Sequence, residues 1–200
     1  MHRSPLFRSA LVGLAALLSV TAALAQTAPV PAPRPEVPAD PAVTTATFGD
    51  WLLRCVRQPA PAGEAGQKSD RLTAQTCEVV QTIKVQGQAQ PIAQLAIGRL
   101  PDSEQLIMTA VLPVNISLPG QVGVIVDPKA PADGAIILEW RRCAGGSCFA
   151  DTRPDDGSLR PLRAGEAGQI RFADAGGRII SVPVSWRGLD QALAALEKQS

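Results

Sequence analysis

Cys55, Cys77, Cys143 and Cys148 carry the sharpest chemistry in this 200-residue chain, because imidazole is almost absent from it. The one histidine is His2, inside a stretch that reads as a removable leader, and tyrosine does not occur. An exported chain lacking His2 has no Ser-His-Asp or Cys-His relay, no His-ligated zinc or haem and no imidazole proton shuttle of its own. Acid–base work then falls to carboxylates. Asp50, Glu78, Asp127, Glu139 and Asp151 sit near apolar runs. A hydrolase of the paired-carboxylate type needs two such groups about 5–10 Å apart in a cleft. Solvated strand faces and turn caps account for these acids more simply. Asp151 followed by Asp155-Asp156-Gly157 lacks the alternating oxygens and closing glutamate of a calcium loop and reads as a turn. No Walker loop, G-x-G-x-x-G or G-x-S-x-G elbow occurs. Trp51, Trp140 and Trp186 have rings that stack well on ligands, but Trp140 and Trp186 share faces with aliphatic neighbours and fit a core. Asn115-Ile116-Ser117 fits the glycosylation pattern, which has no bearing behind a leader of bacterial type. No catalytic, cofactor-binding or metal-ligating residue is assigned.

An even cysteine count behind a leader reads as two disulfides, for which three pairings exist. Cys143 and Cys148 bracket Ala144-Gly145-Gly146-Ser147, a turn-forming tetrapeptide between two strand-like runs. A hairpin there sets the two cysteines opposite each other, within bridging distance. Cys55 then pairs with Cys77 across a Pro/Gly-rich excursion. The competing readings are weaker. A four-cysteine zinc site shows two tight pairs, and this chain has one. A catalytic dithiol prefers C-x-x-C at a helix start, which Cys143-x4-Cys148 is not.

Three kinds of element must position these groups. His2, Arg3 and Arg8 form a positive start, Ala10 to Val20 an apolar run, and Ala23-Leu24-Ala25 a cleavage signature. Residues 1–25 therefore read as a signal peptide, cut between Ala25 and Gln26. Its rival is a retained anchor, disfavoured by a run shorter than the roughly twenty apolar residues of a spanning helix. No later segment is long and apolar enough to span a membrane. Residues 26–47 hold six prolines, from Pro29 to Pro41, and read as a Pro/Ala-rich linker.

From Phe48 the pattern changes to short apolar runs of period two. Ile136, Leu138 and Trp140 share one face; so do Val122, Val124 and Val126, and Ile180, Val182, Val184 and Trp186. Cys77, Val79, Ile83 and Val85 share another, interrupted by Gln81. Eight to ten such runs predict an all-β antiparallel sandwich or barrel over 48–200. Pro183 belongs on an edge or at a bulge, since it cannot donate to a ladder. Leu189, Ala192, Leu193 and Leu196 switch to helical spacing and predict one C-terminal helix over 188–198.

The whole chain carries 19 basic and 18 acidic residues; removing Arg3 and Arg8 leaves 17 against 18, a net charge of −1. That balance argues against nucleic acid as a partner, because such binding displaces counterions from a basic patch.

Five stretches in order resemble the invasion-associated locus B family. They are Phe48-Gly49-Asp50-Trp51 leading to Arg54-Cys55, and Cys77-Glu78-Val79-Val80-Gln81. The third is Leu112-Pro113-Val114 through Leu118-Pro119-Gly120 to Val126-Asp127. The last two are Arg142-Cys143-x4-Cys148-Phe149-Ala150 and Val182-Pro183-Val184-Ser185-Trp186-Arg187-Gly188-Leu189. Trp186 and Leu189 depart from the leucine and phenylalanine expected there, Val114 stands where leucine is frequent, and the loop 57–73 is enlarged. The resemblance covers about 46–197. It implies an exported alphaproteobacterial protein with a compact β-rich fold, found in the periplasm, at the outer membrane or outside the cell. Some relatives are associated with host-cell invasion. The resemblance brings no catalytic residue. The reading it supports is a non-enzymatic envelope protein that contacts an envelope or host protein, with no cofactor and an open oligomeric state. The rival readings are a carboxylate-pair hydrolase and a carrier of small molecules or glycans.

Overall fold

Alternating apolar residues become strands wherever turn chemistry lets the chain reverse, and the computed structural model shows this along the sequence. It describes residues 42–57, 75–100, 103–129 and 134–199. The leader, the cleavage point at Ala25 and Gln26, and most of the linker and of the Pro/Gly-rich excursion lie outside these residues. Ten strands and two helices follow in order: β1 Val43–Phe48, β2 Trp51–Arg57, β3 Gln75–Ile83, β4 Ala93–Arg99, β5 Leu106–Pro113, β6 Val122–Ile125, β7 Ile136–Ala144, β8 Ser147–Thr152, α1 Asp156–Ala164, β9 Ala167–Ala173, β10 Ile179–Ser185 and α2 Leu189–Glu197. Every strand pairing is antiparallel, in the order β1-β2-β3-β4-β5-β8-β7-β6-β9-β10. The β-sandwich expected from the sequence is the fold found.

One layer runs from β1 to β7, and the other is β6-β9-β10. They join where Val122, Gly123 and Val124 of β6 face Leu138, Ile137 and Ile136 of β7. Inward residues of both layers share one core: Val79, Leu95, Ile97, Met108 and Ala110 from the first, Val124, Ile170, Val182 and Val184 from the second. Burying each large aliphatic side chain contributes about 1.5–3 kcal/mol, so this shared interior is the main stabilising term. Pro183 lies on β10, which among the described residues pairs with β9 alone, so its missing N–H takes no donor from a ladder.

Helix α2 covers one end of the core. Its Leu189, Ala192, Leu193 and Leu196 are all buried, on β2, β3 and α1. A nine-residue helix is marginal in water, and this docking stabilises it.

Two elements differ from the sequence expectation. Strand β1 begins at Val43, inside the stretch read as linker. Its residues are almost all exposed, so no apolar alternation marks it. Thr44, Thr45 and Thr47, β-branched and free of proline after Pro41, still favour the pleat. Asp155-Asp156-Gly157, read as a turn, starts helix α1 instead. Asp155 is its cap, accepting from the Ser158 amide at 2.7 Å and the Ser158 hydroxyl at 2.6 Å. Leu159 and Leu162 are the buried face.

Candidate functional site

Both cysteine pairs form where the register places them face to face. Cys55 of β2 lies directly opposite Cys77 of β3, and Cys143 of β7 opposite Cys148 of β8. Both are disulfides: Cys55–Cys77 and Cys143–Cys148. The hairpin at the second is tighter than a four-residue loop. Ala144 and Ser147 still pair, and Gly145 and Gly146 alone turn the chain, at φ of 60° and 79°. Two consecutive residues of positive φ match a two-residue hairpin turn, which glycine adopts without strain.

A second constellation closes the sandwich where β3 approaches β10. Gln81, the residue that interrupts the apolar face of β3, is buried and aimed at Ser185. Its Oε1 accepts from the Ser185 amide at 2.9 Å, and its Nε2 donates to the Ser185 carbonyl at 2.9 Å and to the Asp50 carbonyl at 3.3 Å. A side-chain amide here presents the donor and acceptor of a peptide group, which a neighbouring strand would otherwise supply. The Trp51 indole donates to the same Ser185 carbonyl at 2.8 Å. The Trp51 and Trp186 rings stack at 6.2 Å between centroids, and the Trp186 indole donates to the Val126 carbonyl at 2.8 Å. Outside them, the Asp50 carboxylate accepts from the Ser185 hydroxyl at 2.6 Å and from Arg187 at 2.8 Å and 3.0 Å. Those bonds, Ser185 first and Arg187 next, hold the Asp50 carboxyl below its usual range.

This seam borders an open notch of about 600 Å³, with Lys84 and Glu166 on its rim. A serine beside an aspartate has the outline of a nucleophile with its base. Here the carboxylate is committed to a guanidinium, which makes it a poor proton acceptor for the hydroxyl. The arrangement fastens two layers together.

The acids singled out in the sequence all have structural partners. Glu78 pairs with Arg54 directly across β2 and β3. Asp127 caps a turn by accepting from the Lys129 amide. Glu139 and Asp151 are brought together as register partners on β7 and β8, on the outer face. Arg141 sits between them, 2.9 Å from Asp151 and 3.4 Å from Glu139, and the Asp151 bond raises its pKa. A guanidinium inserted between two carboxylates neutralises the pair instead of leaving one to carry a proton for a leaving group. Asp174, which the sequence did not single out, is buried in the β9–β10 turn and accepts from the Gly176 and Arg178 amides. Its signal was the Asp-x-Gly-Gly turn. Among the described residues no group of three or more Asp, Glu, Cys or His is placed to hold a metal ion.

Trp51 and Trp186 are core residues, whereas Trp140 is half-buried. Trp140 lines a cleft of about 460 Å³ between β7 and the loop Leu118–Gln121. The cleft exists because β6 stops facing β7 at Leu138 while β7 continues to Ala144. Register shifts between Trp140 and Arg142, a bulge that re-aims the side chains at this edge. The Trp140 Nε1 is buried and has no hydrogen-bond partner among the described residues.

The comparisons agree with this architecture. The family model described as Invasion associated locus B (IalB) protein matches residues 51–197. The crystal structure of invasion associated protein b from Bartonella henselae is similar at a TM-score of 0.58 and 19% identity, covering 78% of this chain and 95% of that one. At that identity the likeness concerns the fold. No curated protein sequence matches the chain.

Proposed function

The chain belongs to the invasion associated locus B family, and from that premise we propose an exported, non-enzymatic envelope protein that acts by contact with another protein. The observation that carries the reading is the commitment of the clustered carboxylates. Glu139 and Asp151 share Arg141, and Asp50 is held by Ser185 and Arg187. Acid–base catalysis needs a group poised to exchange a proton, and these are instead closed into ion pairs. Two disulfides within one domain fit an oxidising compartment outside the cytoplasm. They hold the contact surface rigid, so that little ordering entropy opposes binding. Cleavage between Ala25 and Gln26 belongs to the same reading, and the intact mass of the exported protein measures it. A role in host-cell invasion is the narrower form of the proposal, supported by the family and by the Bartonella protein's name.

The test has two arms. Site-specific photocrosslinking from surface positions in intact envelopes is expected to give a defined protein adduct. Glu139→Gln with Asp151→Asn is expected to retain a protein adduct, because the contact needs no acid–base pair. A glycan- or peptide-hydrolysing activity that copurifies with the folded protein and disappears in the double variant would overturn the reading.

A further inference from the structure

The cleft beside Trp140 has a feature that the fold does not use. From Glu139 to Ala144, β7 is paired with β8 on one side, and no described strand pairs with it on the other. Loop Leu118–Gln121 diverges there and forms the far wall. Leu118 on that wall is 58% exposed, an apolar side chain without cover. The floor is Trp140, whose buried N–H lacks an acceptor among the described residues. At the rim, Arg142 lies 5.1 Å from the Phe149 ring centroid and makes no ion pair among the described residues. Arg141 is already held by Asp151 and Glu139.

Each feature narrows the occupant. A strand edge offers alternating N–H and C=O groups at the spacing of another backbone, a pattern that only an extended peptide matches along its length. Trp140 and Leu118 provide apolar walls for one inward side chain. The Arg142 guanidinium at the rim, over the Phe149 ring but without a carboxylate partner among the described residues, favours a carboxylate over an ammonium. Charged residues and a bulge also discourage indiscriminate edge pairing, so only a complementary segment is admitted.

We propose that the cleft between β7 and loop Leu118–Gln121 is a strand-addition site for an extended acidic peptide segment of another protein. The segment continues the line of β6 along Glu139–Ala144, inserts one apolar side chain between Trp140 and Leu118, and sets a carboxylate on Arg142. This rests on the protein-contact reading above and assigns that contact to one edge of the sandwich.

The probe is the synthetic peptide acetyl-Val-Glu-Val-Glu-Val-amide, titrated into the purified ¹⁵N-labelled chain, with the lysine counterpart alongside. Saturable shifts are expected at the amides of Glu139–Ala144 and at the Trp140 indole N–H. The lysine peptide is expected to bind at least about tenfold more weakly. Arg142→Glu, at an exposed position that leaves the core intact, is expected to reverse that preference. No saturable shift at millimolar peptide, equal affinity for both peptides, or shifts mapping elsewhere would overturn the proposal. Photocrosslinkers at Gln121 and at Thr45 on β1 separate its failure from that of the wider reading. Adducts from Thr45 alone overturn the cleft and leave a contact protein. The absence of adducts from Gln121, from Thr45 and from every other exposed position overturns both.

Discussion

Replacing Gln81 by leucine isolates the seam from ordinary core packing. The substitution removes the acceptor for the Ser185 amide and the donor to the Ser185 and Asp50 carbonyls. The Ser185 carbonyl keeps the Trp51 indole, and the Asp50 contact at 3.3 Å is long, so the main loss is one stranded amide. A buried donor left without a partner costs about 1–3 kcal/mol. Ser185 is half-buried, which puts the loss in the lower half of that range. The apolar gain from leucine offsets up to about 1 kcal/mol. The loss of about 1–2 kcal/mol less that offset leaves a net destabilisation of about 0–2 kcal/mol, centred on about 1 kcal/mol, lowering the Tm by about 2–4 °C at that centre for a folded unit of this size. Urea unfolding followed by tryptophan fluorescence is the assay, because the stacked Trp51 and Trp186 report the seam directly. A leucine variant more stable than the parent refutes the claim that Gln81 stands in for a missing strand.

Gln81→Glu sharpens the test through its sign. The glutamate would still accept from the Ser185 amide, but its second oxygen would face the Ser185 and Asp50 carbonyls. Burial against acceptors disfavours the charged form, so the folded-state pKa of the new carboxyl is raised. A raised folded pKa adds stability below the unfolded value of about 4.3 and loses it as pH rises through the folded value. The deficit of Gln81→Glu relative to the parent is therefore expected to shrink from pH 7 to pH 4, while that of Gln81→Leu stays constant. Parallel deficits for the two variants would place the carboxyl in water and the seam with it.

Three further outcomes follow from named contacts. The carboxyls of Asp50, Asp155 and Asp174 all lie below 3.8: Ser185 and then Arg187 act on the first, the Ser158 hydroxyl and amide on the second, the Arg178 amide and then its side chain on the third. Depressed folded values give stability that is present above 3.8 and lost as pH falls through them, so the urea midpoint should drop below about pH 4; Asp174→Asn should flatten the slope, and a midpoint that rises on acidification would contradict it. Gly188 has φ of 88°, and a Cβ there would overlap the Phe48 carbonyl. Gly188→Ala should cost at least about 3 kcal/mol, against about 1 kcal/mol for Gly146→Ala, which has the same sign of φ but open space; equal costs in chemical denaturation would remove the close approach from the account. Replacing Cys143 and Cys148 by alanine should cost about 2 kcal/mol, and replacing Cys55 and Cys77 about 3 kcal/mol, because the second pair closes the longer loop. Reversal of that order in unfolding free energies would mean that loop closure does not govern these bridges.

The parts legible in the sequence are those whose cause is local or periodic. Alternation from Ile180 to Trp186 gives β10, the spacing of Leu189, Ala192, Leu193 and Leu196 gives α2, and the turn between Cys143 and Cys148 gives their pairing. Strand β1 escapes because its faces are exposed and the ladder to β2, not burial, holds it. Helix α1 escapes because Gly157 and Pro161 weaken its propensity, although Asp155 three residues before Ser158 is a cap signature and Leu159 and Leu162 mark its buried face.

The seam lies between these cases. Gln81 is visible in the sequence as an interruption of an apolar face, and Asp50-Trp51 and Ser185-Trp186-Arg187 stand out as separate motifs more than a hundred residues apart. What one chain in one dimension lacks is the pairing of the three. A polar residue on an inward position costs stability unless its partners are fixed, and the Ser185 amide and carbonyl meet that condition only because β10 ends against β3. Trp140 is the opposite case. Its N–H is buried and faces no such acceptor within the described fold, where the other two tryptophans each have one. Of the three indoles, two close the sandwich on itself. The third stands at an open strand edge, its N–H buried and without an acceptor among the described residues.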